Sequence, residues 1–332
     1  MNRSLLATLS ALSLISACSS GNGFSEDKDA DNSGGNNNNT AEITSANAVQ
    51  VTKVTYQSAQ AAGSAGEYSG GTGLISSAPA TVAKIDGSFL TSSKPSSSNA
   101  SIPIPPTVEE CPAGGTMTLS GDIADPLTPT LTPGDFFELV YVACDDGFAV
   151  VDGNLFYEVD AFSTDSDLLA GTYDLSMSAT FTDFQVMTAD DSLLSNGDVL
   201  VRLNTLAAPI VLTETSGASL TVDGDLGSQT LTNFASSFSQ ETGVEPSPYT
   251  QSSSGTLNTT LLSGVVSYTT PVVFTGFDAD YPGTGEFLVA GVNSSARLVV
   301  VDNVNINIEV DSDGDGVVDE TIVTTWAEFA AL

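Results

Sequence analysis

The chain has no histidine, and lysine and arginine together number 7 among 332 residues. Without histidine, Ser-His-Asp and Cys-His catalysis lack their base, and zinc sites lose their usual nitrogen ligand. Against the few cations stand 41 Asp and Glu, for a formal net charge of -34. From Pro105 onward only Arg202 and Arg297 are basic, against 34 carboxylates. A surface this negative repels phosphate backbones, so nucleic acid is excluded as a partner. Three meanings of the charge stay open: solubility in a saline habitat, binding of divalent cations, or drift on a secreted surface. Aromatics are 7% with a single tryptophan, whereas sugar-binding clefts usually offer several exposed rings. No phosphate loop is present either, since Gly70-Gly71-Thr72-Gly73 lacks the lysine and the helix.

What is abundant is apolar residue, 41% of the chain, ample for a core. Cysteine is used three times, at Cys18, Cys111 and Cys144. Residues 1–18 read MNRSLLATLSALSLISAC, with Arg3 ahead of a short apolar run, Leu5 to Ile15. The run is too short to span a bilayer and reads as a cleaved export signal. The tetrapeptide Ile15-Ser16-Ala17-Cys18 resembles the lipobox of bacterial lipoproteins. That resemblance implies cleavage of residues 1–17, acylation of Cys18 and a membrane partner held through that lipid. Ser19 stands where aspartate marks inner-membrane retention in many Gram-negative bacteria, so the resemblance points to an outer membrane lipoprotein, facing the periplasm or the cell surface. In such an oxidising compartment Cys111 and Cys144 are most simply a disulfide; two buried free thiols are the other possibility.

Residues 18–40 are Gly, Ser, Asn and Asp with one aromatic, a composition that predicts a disordered acidic tether. Residues 41–104 read as a helix plus a Ser/Pro-rich strap. The helix is expected over 44–60 with Ala46, Val49, Val54 and Gln57 on one stripe, ended by the glycines of 63–73. Thr81 to Leu90 could be a strand, and 91–106 is a strap of Pro and Ser.

From 105 to 332 the pattern is strand and turn. NVNINIEV (303–310) alternates apolar Val304, Ile306, Ile308 and Val310 with Asn303, Asn305, Asn307 and Glu309. Val199, Val201 and Leu203 do the same, as do Leu220 and Val222, and the row Tyr173, Leu175, Met177, Ala179 and Phe181. Period two with one apolar face is the mark of half-buried antiparallel strands. About a dozen such runs predict a mainly β domain: a large antiparallel sheet, a sandwich or a half-barrel, with one short N-terminal helix. A transmembrane barrel also alternates, but a lipobox would be redundant in it, and Ser and Thr are frequent on the face that would meet lipid.

VDSDGDGVVDE (310–320) is the most explicit chemistry in the chain. Asp311, Asp313 and Asp315 alternate and Gly316 follows, so three carboxylates can curl round one hard cation. Val317 offers a backbone carbonyl, and Asp319 or Glu320 completes the shell. The run resembles the DxDxDG loops of thrombospondin type 3 repeats and dockerins, and the resemblance implies Ca²⁺. It departs from an EF-hand, because Ile322 occupies the twelfth position and the flanks are strands. A solvated acidic turn without metal is the alternative. Asp145-Asp146, Asp190-Asp191, Asp223-Gly224-Asp225 and Asp278-Ala279-Asp280 read as turn-forming aspartates.

These features predict a lipid-anchored, calcium-stabilised envelope or cell-surface β protein, not an enzyme, acting in binding, adhesion or envelope structure. Its partner would be a protein, a glycan or a hydrophobic ligand. Two alternatives are a carrier with a half-barrel cavity and, behind it, a carboxylate-based glycoside hydrolase acting on polysaccharide.

Overall fold

A computed structural model describes residues 40–70, 101–123, 131–164, 172–188, 192–224, 227–278 and 280–331. Cys18 with its lipobox, nearly all of the tether, the Thr81–Leu90 strand, residues 91–100 of the strap and Asp190-Asp191 lie outside the described residues.

The described chain forms one antiparallel sheet of 14 strands, each paired with its neighbour in sequence. They are β1 (Ile102–Glu110), β2 (Gly114–Ile123), β3 (Phe136–Asp145), β4 (Val150–Thr164), β5 (Tyr173–Met187), β6 (Ser192–Asn204) and β7 (Ile210–Gly224). The second half comprises β8 (Gly227–Glu241), β9 (Pro248–Thr259), β10 (Val266–Phe277), β11 (Thr284–Gly291), β12 (Ser294–Val300), β13 (Asn305–Asp311) and β14 (Glu320–Thr325). Helix α1 (Ala48–Gly70) precedes the sheet and α2 (Trp326–Ala331) follows it. The mainly β fold expected from the alternation is therefore present, as a single open meander with no second sheet among the described residues.

Alternation sets which face is inside. Ile306, Ile308 and Val310 of β13 have no exposed surface, while Asn305, Asn307 and Glu309 between them are only partly covered. Cross-strand pairs carry that apolar row around the sheet: Leu119 opposite Leu139, Leu139 opposite Leu155, Leu220 opposite Leu231, Leu231 opposite Leu257. Val289 faces Ala296, and Leu298 faces Ile308. Register shifts at 152/154 in β4, 181/184 in β5, 198/200 in β6 and 232/235 in β8 interrupt the ladders. Such bulges bend strands and raise their twist. Gly153 makes the first possible: its φ is +100°, and a Cβ there would lie 2.1 Å from the Asp183 carbonyl oxygen.

The bent sheet wraps α1. The helix touches β6 to β9 and β11 to β13, and five consecutive residues, Val51 to Thr55, are buried. The expected stripe is thus corrected: Ala46 precedes the helix and is exposed, Val49 and Gln57 are partly covered, and only Val54 is core. A helix surrounded on most sides has no single apolar stripe. Two of its buried hydroxyls are satisfied locally, Thr55 Oγ1 donating to the Val51 carbonyl at 2.7 Å and Ser58 Oγ to the Val54 carbonyl at 2.7 Å, whereas the buried Thr52 Oγ1 has no hydrogen-bond partner among the described residues. The end expected near residue 63 is also corrected, since α1 runs on to Gly70. A Cβ at Gly63 would sit 2.8 Å from Ser236 Oγ of β8, so this glycine serves close helix–sheet packing.

The boundary expected at 104/105 falls inside β1. Prolines 103, 105 and 106 are tolerated there because β1 is an edge strand, where a missing N–H need not break a ladder. Its register with β2 shifts between Ile104 and Thr107, taking up the Pro105-Pro106 pair.

At the C-terminal side α2 folds under the sheet. Thr325 and Glu328 form a capping box, each backbone N–H donating to the other's side chain at 3.1 Å. Lys53 Nζ donates to the Ala330 carbonyl at 3.0 Å, a cation on the last turn of α2. Trp326 stacks on Tyr281, ring centroids 5.5 Å apart, and Tyr56 of α1 meets Phe274 and Phe287 edge-on. Burial pushes the Tyr56 hydroxyl well above its usual range, with a hydrogen bond from Gln60 opposing the shift.

In a meander alternate turns lie at the same end of the sheet. Turns 111–113, 146–149, 260–265, 292–293 and 312–319 therefore share one rim. The chain joins the sheet at that rim: Ala41 N–H donates to the Val265 carbonyl at 2.9 Å, and Val292 N–H to the Ala41 carbonyl at 2.8 Å.

Candidate metal centre

The 311–320 loop closes the β13–β14 hairpin on this rim. Glu309 pairs with Thr321 and Val310 with Glu320, so the strands hold both ends of the loop in register. Between them, aspartate does turn chemistry. Asp311 accepts Gly314 N–H at Oδ1 (2.7 Å) and Gly316 N–H at Oδ2 (3.0 Å). Asp313 Oδ1 accepts Asp315 N–H at 3.2 Å, and Asp315 Oδ1 accepts Val317 N–H at 2.8 Å. Gly314 and Gly316 have φ of +73° and +82°, the left-handed region that lets the loop curl this tightly.

The result gathers three of the expected residues. Asp311, Asp313 and Asp315 each present a carboxylate oxygen, and the three oxygens lie within 4.8 Å of one another. Asp311 is half-buried and the other two are exposed, so water can reach the remaining coordination positions. A Ca²⁺ shell takes six to eight oxygens, waters included. A carboxylate oxygen that accepts one N–H keeps a further lone pair for an ion.

Asp319 and Glu320 are not in that group of three. Asp319 Oδ2 accepts both the backbone N–H of Ser312 at 2.8 Å and its hydroxyl at 2.5 Å. That hydroxyl, then the N–H, hold the Asp319 carboxyl below the usual carboxylate range. Val317 is bound to the loop through its N–H, its side chain exposed, and Glu320 opens β14 on the exposed surface. Ser312 has no place in the DxDxDG reading; only its position between the first two aspartates signals its role. Asn293, from the β11–β12 turn, backs the loop, since a Cβ on Gly314 would come within 2.8 Å of its carbonyl carbon.

Elsewhere Asp145 and Asp146 act as the expected turn formers, whereas Asp223 lies within β7, Asp278 bonds across to the turn between β8 and β9, and Asp225 lies outside the described residues. Asp145 Oδ1 accepts Gly147 N–H at 2.8 Å, and Asp146 Oδ1 accepts Phe148 N–H at 2.8 Å and Ala149 N–H at 2.9 Å. Asp278 Oδ1 accepts Ser247 N–H at 2.8 Å. The neighbouring pair Cys111 and Cys144 is joined in a disulfide, Cα atoms 5.4 Å apart across a separation of 33 residues.

One outer-face cluster was not anticipated. Arg202 donates through Nε and Nη2 to Asp174 (2.9 and 2.8 Å) and through Nη1 to Glu214 (3.0 Å). The Arg202 hydrogen bonds hold the Asp174 carboxyl below its usual range. The signal was in the composition: a lone cation among so many carboxylates collects them, as Arg297 does with Glu286 at 3.9 Å.

No known protein family, curated protein or solved structure matches the chain.

Proposed function

We propose that the protein is a lipid-anchored, calcium-stabilised β protein of the bacterial envelope that works by binding rather than by catalysis. The observation that carries the calcium is the convergence of Asp311, Asp313 and Asp315 to within 4.8 Å on the last hairpin. Like charges repel at that distance, and a divalent cation turns the repulsion into cohesion between β13 and β14. We read the ion as structural, because the loop that would hold it closes the hairpin between β13 and β14. Acylation at Cys18 is supported by the lipobox, and Ser19 after it favours the outer membrane.

The two alternatives have no such support. A carrier needs apolar space beneath the curved sheet, and α1 occupies that side across β6 to β13. Two shallow, open hollows lie over the outer face. One carries Asp198 and the other Glu214 as its lone acid, where glycoside hydrolysis needs a pair of carboxylates.

The test is thermal unfolding in millimolar calcium and then in chelator. Calcium at a hundred times its dissociation constant adds about 2.7 kcal/mol, a rise of several degrees in Tm. No rise would overturn the calcium reading. Mass analysis of Cys18, and release from the membrane fraction by Cys18→Ser, test the anchor separately.

A further inference from the structure

The most exposed large apolar residue described is Phe148, at 81%. Its exposure is built in. Two backbone N–H bonds to Asp146, the Asp146 N–H to the Ala149 carbonyl at 3.2 Å and the adjacent Cys111–Cys144 bridge fix the turn that carries it. Leu261, Val292, Val317 and Val318 are also exposed, on other turns of the same rim. The opposite rim has apolar tips as well, Ile210, Val244 and Val304 among them. The path of the chain distinguishes the two. The described residues begin at Thr40, paired with Val265 on the Phe148 rim, 22 residues after Cys18. The chain therefore enters the sheet on this rim, which is the one nearer along the chain to the lipid that would hold Cys18, and tethering there raises its effective concentration at that lipid above that of the opposite rim.

We propose that the rim carrying Phe148, Leu261, Val292 and Val317 seats on the bilayer that holds Cys18, inserting its apolar tips among zwitterionic headgroups. Anionic lipid is disfavoured by Asp145, Asp146 and the 311–319 carboxylates on the same rim. Apolar turn tips that enter the headgroup region leave water without displacing any strand, so seating costs the fold nothing. The anchor would then orient the protein as well as retain it, presenting the opposite rim and the outer face to partners. This inference rests on acylation of Cys18.

The experiment uses the full lipid-bearing chain in phosphatidylcholine vesicles with brominated acyl chains. Phe148→Trp places a reporter on the seated rim and Val304→Trp one on the opposite rim; both sites are exposed, and native Trp326 is buried. Phe148→Trp should shift to the blue and lose most of its added emission to bromine, while Val304→Trp keeps its own. Equal quenching of both, or of neither, in a chain shown by mass to carry lipid overturns the seating alone. A chain without lipid at Cys18 overturns the anchor and the seating together.

Discussion

Two acidic turns share one rim and solve their charge differently. In 145–149 two carboxylates are each taken up by backbone donors, and a disulfide beside the turn braces the hairpin. In 311–319 the same Asx geometry recurs, yet three carboxylates converge with no covalent brace. Aspartate is used in both because its side chain stands in for a backbone carbonyl in a tight turn. The contrast separates turn formation, which needs one acid at a time, from the convergence of three, where the proposed cation would act.

The largest effect that sharpens the contrast is loss of the covalent brace. Replacing Cys111 and Cys144 by serine opens a 33-residue loop, which by chain entropy costs about 3–4 kcal/mol. The urea midpoint should fall accordingly while the calcium-dependent rise in Tm persists. Loss of the calcium response in this variant would show the two turns to be one coupled unit. Next in size, Asp313→Ala with Asp315→Ala should abolish the calcium increment of about 2.7 kcal/mol, whereas Asp145→Ala should leave it whole. A calcium response surviving the first pair would move the ion elsewhere. Smaller still, Asp146→Ala removes two hydrogen bonds from an exposed turn and should cost about 1 kcal/mol, read as a modest fall in urea midpoint in calcium and chelator alike.

Much of the fold was legible because a meander is written locally. Each strand shows its own period, and each hairpin pairs neighbours, so rows such as Leu175–Met177–Ala179 need no distant information. What was not legible depends on contacts far apart in sequence. The burial of Val51 to Thr55 on most sides comes from strands about 150 to 260 residues away, so no helical stripe announces it. Gly63 looks like a helix terminator until Ser236 is seen against it. Prolines 103, 105 and 106 look like a strap until the edge position of β1 is known. At the candidate metal centre, the alternation of aspartates announced the trio, because spacing two with a glycine is a local rule. The engagement of Asp319 by Ser312 was hidden, since serine's role depends on how the loop closes.

The smallest effect separates Asp319 from the trio. Its carboxyl is held below the usual range by the Ser312 hydroxyl and N–H, so it binds its proton less readily folded than unfolded. A group with a depressed folded pKa contributes stability above its unfolded pKa, and loses it as pH falls through the folded value. Asp302, held down by the Val304 and Asn305 N–H groups on the opposite rim, and Glu328 in the capping box of α2 shift the same way. The acid limb of stability below about pH 4 is therefore shared among these three and Asp174, which Arg202 holds down. Asp319→Asn should flatten that limb slightly, with chelator present, and change little at neutral pH. Asp302→Asn should flatten it to a similar degree. In calcium the two variants part if Asp319 touches the ion, the first losing part of the calcium increment and the second none. Equal calcium increments in both would confine the centre to Asp311, Asp313 and Asp315 and leave Asp319 as the acid that closes the loop.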